Sequence, residues 1–321
     1  MPVDIDALVQ RALAGDRVAT AKLLSLVEQG GDGARAVMAR LHPHTGRAWS
    51  VGITGAPGAG KSTLTDELVA CMRDEDLDVG VLAVDPSSPF SGGAILGDRV
   101  RMQRHSTDTG VFIRSMASRG HLGGLAVATP QSVRVLDAVG KDWVIVETVG
   151  VGQVEVEIAS QADTTIVVVN PGWGDEVQAA KAGLLEIADI FVVNKADRPG
   201  ADVTVSDLAG MLELSSHRGW KPPIVRTIAT TGDGVAELWE SIGAHRGVLE
   251  AGGAVSARRR ARLVDELRGL VAERLLERAG AITEGPEFDA LVDAVAARTS
   301  DPYAAVDALL APDETRTGDE T

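Results

Sequence analysis

Apolar positions along the chain follow two alternating rhythms. Short, nearly unbroken apolar runs recur near residues 50–54, 79–84, 110–115, 143–147, 164–169, 189–194 and 223–228, and between them apolar residues fall three and four apart. A strand covered on both faces has no wet side and reads as a continuous apolar run, whereas three-and-four spacing is the stripe of an amphipathic helix. The alternation predicts an α/β domain over residues 47–252: a mostly parallel sheet with helices on both faces, whose ligands sit at the carboxyl ends of the strands. Ahead of it, Ile5 to Ala14, Ala19 to Gln29 and Ala34 to Leu41 read as helices separated by Gly-Asp and Gly-Gly breaks, a helical extension over residues 1–46.

Beyond Gly252 the pattern changes to long helices, Ser256 to Arg278 and Pro286 to Ala297, in which Leu263, Leu267, Leu270 and Leu275 lie among many charges. This segment, residues 253–312, reads either as a cover for its own domain or as a projecting αα-hairpin arm. From Asp313 the chain is small, polar and acidic, so residues 313–321 are expected to be a disordered tail.

Composition narrows the class. A 321-residue chain with 45% hydrophobic content can bury a sizeable core, and with 3% aromatics that core must be aliphatic. No apolar run approaches the ~20 residues of a membrane span and the N-terminus has no signal-peptide pattern, so a cytoplasmic protein without a membrane partner is expected. Cys71 is the single cysteine, which excludes internal disulfides and Cys-cluster metal sites. A net charge of −15, with no basic stripe interleaved with aromatics, argues against a nucleic-acid partner.

The chemistry begins at Gly55-Ala56-Pro57-Gly58-Ala59-Gly60-Lys61-Ser62, which fits G-x-x-x-x-G-K-[ST] between a predicted strand and a helix from Ser62 to Arg73. In such a loop the glycines let backbone N–H groups wrap phosphates, Lys61 reaches the outer phosphates and the Ser62 hydroxyl ligates magnesium. Leu64, Leu68 and Met72 share one face of the helix. Downstream, the strand Ile190 to Val193 runs into Asn194-Lys195-Ala196-Asp197, an N-K-x-D pattern. A carboxylate at Asp197 can accept from guanine N1–H and its 2-amino group together, a donor pair adenine lacks. Asn194 would tie this loop to the phosphate loop, and the Lys195 stem would cover the base.

Two apolar runs end in carboxylates, as metal-assisted phosphoryl chemistry requires. Residues 79–84 lead into Asp85, and 143–146 lead into Glu147-Thr148-Val149-Gly150, shaped like a D-x-x-G switch with Glu in place of Asp. Glu147 and Asp85 are read as metal ligands and the Gly150 N–H as a γ-phosphate sensor. Asp98 reads equally as a metal ligand or as the N-cap of a helix from Arg99 to His105. Val151 stands where Ras-like proteins keep a water-positioning Gln, so unassisted hydrolysis is expected to be slow. Charge stabilisation would fall to Arg101, Arg104, Arg119 or Lys181, each of which reads as readily as a solvated surface charge.

Several unusual segments carry a family resemblance: residues 55–63 through Thr63, Val84-Asp85-Pro86-Ser87-Ser88-Pro89, residues 92–99, Ser118-Arg119-Gly120-His121 with the following Leu122 to Leu125, residues 147–153, and Pro171-Gly172-Trp173-Gly174-Asp175-Glu176-Val177-Gln178. With these the sequence resembles the MeaB/ArgK family, GTPases of the SIMIBI class associated with methylmalonyl-CoA mutase. The resemblance implies Glu at the position of Glu147, two aspartates on the metal at Asp85 and Asp98, and a guanine-backing loop at Ile228, Ala229 and Thr230. Most members have Ser-Ala where this chain has Ile228-Ala229, but the contact expected there is a backbone N–H that any residue supplies. Trp173 stands where a smaller residue is expected. Lys61, Glu147 and, among the charge candidates, Lys181 are read as the catalytic residues; the resemblance further implies Mg2+ with GTP and GDP as substrate and product, a homodimer through the C-terminal arm, and a chaperone role toward an adenosylcobalamin-dependent acyl-CoA mutase. Cobalamin itself would not bind this chain, which has no Asp-x-His-x-x-Gly pattern. Two other readings compete: a metal-insertion GTPase, disfavoured by one cysteine and six scattered histidines, and a kinase associated with amino-acid transport, which lacks an evident acceptor-binding domain.

Overall fold

The computed structural model describes residues 3–86, 103–118, 124–148, 161–172, 185–214 and 219–310. Asp98, Arg101, Arg119, Gly150, Val151, Trp173 and Lys181 lie outside the described residues, as does the side chain of Asp85. The chain divides into two compact units, residues 1–263 and 264–321.

The first unit is built on a seven-stranded sheet: β1 Trp49–Gly55, β2 Val79–Pro86, β3 Val111–Ser118, β4 Trp143–Thr148, β5 Thr164–Val169, β6 Ile190–Asn194 and β7 Ile224–Thr227. Strand order is β3-β2-β4-β1-β5-β6-β7 and every pairing is parallel. Each apolar run of the sequence is a strand, its ends displaced by a few residues at most. β1, β4, β5 and β6 are buried at every position, which is why they read as unbroken apolar runs.

Helices cover both faces. Before the sheet come α1 Ile5–Leu13, α2 Arg17–Gln29 and α3 Gly31–Leu41; between strands lie α4 Lys61–Asp74, α5 Gly124–Ala138 and α6 Ala201–Leu214; α7 Val235–Ala251 and α8 Ala254–Ile282 follow β7. On one face Leu64, Leu68 and Met72 of α4 and Leu238 and Ile242 of α7 close on Val51, Ile53 and Val168. On the other, Leu23 and Leu24 of α2, Leu41 of α3 and Leu136 of α5 pack with Leu82, Val144 and Val146. The N-terminal helices therefore share a core with the sheet, and each fully buried leucine contributes about 1.5–3 kcal/mol relative to an exposed one. A third cluster joins Phe191 and Val193 to Leu208 and Leu212 of α6. Helix α2 starts two residues before the apolar periodicity does. The Asp16 side chain accepts from the N–H groups of Val18 and Ala19 at 2.9 and 3.1 Å, so the Asp of a Gly-Asp break is a cap rather than a spacer.

The amino-terminal edge of the sheet is closed by charge. Asp163 accepts from Ser50 N–H at 3.0 Å, from Arg259 Nη2 at 2.8 Å and from Arg262, while Asp189 accepts from Thr165 N–H and Arg258 Nη2, both at 2.9 Å. Burial pushes both carboxyls up, but the hydrogen bonds and charges of Arg259 and Arg262 on Asp163, and of His245 and Arg258 on Asp189, outweigh it and hold both below the ordinary carboxylate value.

The second unit holds the rest of α8 with α9 Pro286–Ala296 and α10 Pro302–Leu310. It leaves Leu267, Val271 and Leu275 exposed at four-residue spacing on α8, and Val306 and Leu310 exposed on α10. No helix among the described residues is long and apolar enough to cross a membrane.

Candidate nucleotide-binding site

β1 ends in a turn that admits no side chain at its first and last glycines. Gly55 has φ +144°, and a Cβ there would lie 2.0 Å from the Val168 carbonyl oxygen of β5. Gly60 has φ +90°, and its Cβ would lie 2.4 Å from the Asn194 amide nitrogen. Both glycines are thus required by close approach as well as by backbone conformation. Between them Ala56, Pro57, Gly58 and Ala59 form the turn, held by Ala59 N–H to Ala56 O at 3.1 Å. α4 opens at Lys61, with Ser62 and Thr63 in its first turn.

Lys61 is buried and its Nζ donates to Gly55 O at 2.7 Å and Ala56 O at 3.0 Å. Ser62 Oγ donates to Glu147 Oε1 at 2.5 Å. Glu147 is 1% exposed and pairs in register with Ile53, so a hydroxyl from the first turn of α4 and a carboxylate from the end of β4 converge beside the phosphate loop. Asp85 follows Val84, which pairs with Thr148, and so stands at the same edge.

The N-K-x-D segment joins this loop from the other side. Asn194 is 2% exposed; its Nδ2 donates to Ala59 O at 2.7 Å, and its Oδ1 accepts from Ala229 N–H and Thr227 Oγ, both at 3.1 Å. Lys195 takes a left-handed φ of +57° and reaches Gly58 O with Nζ at 2.6 Å. Asp197 is exposed beyond it, as is Thr230, while Ile228 N–H is held by Asp233 O at 2.9 Å. One amide therefore binds three loops into a unit. Thr227 is the residue the sequence reading missed; its only signal is a buried hydroxyl-bearing position at the end of an apolar strand. Arg104 is placed differently from the charge-stabilising role considered for it: its guanidinium is engaged by Asp66 and Glu67 of α4.

The family model described as methylmalonyl Co-A mutase-associated GTPase MeaB matches residues 20–284. The chain belongs to the MeaB/ArgK family. A relative from Pyrococcus abyssi, whose name carries a provisional GTPase assignment, is 53% identical over 95% of this chain and 96% of its own length. GTPase ArgK of Escherichia coli is 36% identical over 84% of each chain. The mouse protein named methylmalonic aciduria type A homolog, mitochondrial, is 34% identical over 71% of this chain and 56% of its own length. Among solved structures, one titled LAO/AO transport system kinase superposes with TM-score 0.71 at 26% identity, covering 96% of this chain and 97% of that one. Like its family, this chain is a P-loop GTPase that binds guanine nucleotides and hydrolyses GTP.

Proposed function

We infer that this GTPase acts as a nucleotide-gated chaperone for an adenosylcobalamin-dependent acyl-CoA mutase, with methylmalonyl-CoA mutase as the default client. It gates cofactor loading and protects or reactivates the mutase from the cytoplasm. The observation that carries the client is the match of the mutase-associated family model over residues 20–284; the mouse relative named for methylmalonic aciduria supports it.

The site supplies the working parts. The N–H groups of residues 55–63 and Lys61 hold the phosphates, with Gly150 sensing the γ-phosphate and Lys181 adding charge. Asp197 reads the guanine edge, Lys195 lies along the base, and the Ile228 to Thr230 loop backs it. Ser62 Oγ and the Glu147 carboxylate, buried and 2.5 Å apart, are hard oxygen donors of the kind Mg2+ takes. With Asp85 and Asp98 they would hold that ion, which when bound neutralises the charge that develops on the transferring phosphoryl group. Leu267, Val271 and Leu275, exposed in one stripe, suit the homodimer contact. The kinase title of the similar structure favours a second reading, phosphoryl transfer to an acceptor.

The test is GTP turnover with and without purified methylmalonyl-CoA mutase. Slow turnover accelerated by the mutase is expected. Turnover indifferent to the mutase would remove this client, and phosphate appearing on an acceptor instead of in solution would favour the kinase reading.

A further inference from the structure

Arg104 lies in the short 3₁₀ turn Gln103–His105, ahead of β3 and six residues after Asp98 in sequence. Its planar fork spans two carboxylates of α4, with Nε 2.7 Å from Asp66 Oδ2 and Nη1 2.9 Å from Glu67 Oε1. His105 beside it is buried, and its Nε2 lies 3.1 Å from Asp66 O. Asp66 stands four residues after Ser62, one turn further along the same helix face. Glu67 turns its other oxygen toward the loop after β7, where a Cβ on Gly232 would lie 3.7 Å from it. The turn at 103–105 is thereby bolted to the helix that begins with Lys61 and Ser62.

A lone exposed ion pair contributes little. Here the Asp66 side chain is 13% exposed, and one guanidinium serves two carboxylates. Burial holds the Asp66 carboxyl above the ordinary carboxylate value and the charges of Arg104 and His105 only partly offset it, so removing Arg104 leaves a half-desolvated acid facing the turn.

We propose that Arg104 is a positioning residue for GTP hydrolysis, tying the turn at 103–105 to the helix that presents Ser62 so that the magnesium-dependent step has a fixed geometry. This rests on the Mg2+ reading of Ser62 and Glu147. The tie acts on the metal-dependent step and leaves the phosphate loop and the N-K-x-D loop intact, so its loss separates from loss of nucleotide affinity.

The experiment is a Mg2+ titration of GTP turnover for wild type, Arg104→Met, Arg104→Lys and Glu67→Gln, with metal-free GDP affinity and melting temperature measured on each. Arg104→Met should raise the Mg2+ concentration for half-maximal turnover, with GDP affinity unchanged. Lysine should restore part of the loss, and Glu67→Gln should shift the requirement in the same direction even if Arg104→Met fails to fold. Arg114→Met, which breaks the 2.9 Å pair with Glu28 between β3 and α2, is the control: it should lower the melting temperature alone. A lowered melting temperature with an unmoved Mg2+ requirement in Arg104→Met and Glu67→Gln would overturn the proposal. A wild type indifferent to Mg2+ would overturn the metal reading beneath it.

Discussion

At the carboxyl ends of β1 and β6, charged and polar groups bond to loop backbone: Lys61 to Gly55 and Ala56, Lys195 to Gly58, Asn194 to Ala59. At the amino ends of β1, β5 and β6 two buried aspartates are clasped from the start of α8, Asp163 by Arg259 and Arg262 and Asp189 by Arg258. The first edge can exchange its partners for those of a ligand, because a lysine released from a carbonyl finds a phosphate at little cost. The second cannot, because a buried carboxylate deprived of its arginine has nothing to replace it. The same residue types therefore make a site at one end of the sheet and a fastening at the other.

The largest effects should separate these two edges. Asp163→Ala leaves Arg259 and Arg262 without their shared anion, and a loss of about 3–5 kcal/mol in chemical denaturation is expected, with nucleotide specificity unchanged in whatever remains folded. Lys61→Ala should do the reverse, lowering GTP turnover about 10²–10³-fold, the size of losing one electrostatic donor, while the melting temperature holds. If Lys61→Ala unfolded the protein, or Asp163→Ala changed the preferred nucleotide, the division between the edges would fail.

Acid sharpens the contrast. Asp163 and Asp189 have folded values below their unfolded ones, so their stabilisation is complete above the unfolded carboxylate value and is lost as pH falls through the folded values. Stability should decline below about pH 4, and Asp163→Asn should flatten that decline; a decline of unchanged steepness in the variant would mean that other carboxylates govern it. The smallest effect belongs to Thr227→Val, which removes one of the two bonds to Asn194 Oδ1 and should cost about 1 kcal/mol together with a modest loss of GDP affinity by calorimetry.

What the sequence made legible follows the range of the interactions. Strands buried on both faces announce themselves, and the phosphate loop is contiguous, so Gly55 through Thr63 could be read directly. Asp16 was legible in principle as a cap, but its Gly neighbour made it look like a break. The Thr227 bond to Asn194 crosses 33 residues and the Arg259 bond to Asp163 crosses 96, and nothing local marks either partner. Arg104 shows the same limit in a charged residue: its sequence neighbours suggest a phosphate, and its spatial neighbours are two carboxylates.

The most direct measurement of the central claim is turnover of GTP, ATP and XTP by wild type and Asp197→Asn. An asparagine amide can donate to the 2-oxo group of xanthine but cannot accept both guanine donors. The account predicts GTP-selective wild type and a variant that loses GTP and gains XTP. Equal use of ATP by wild type, or an unchanged preference in the variant, would contradict it.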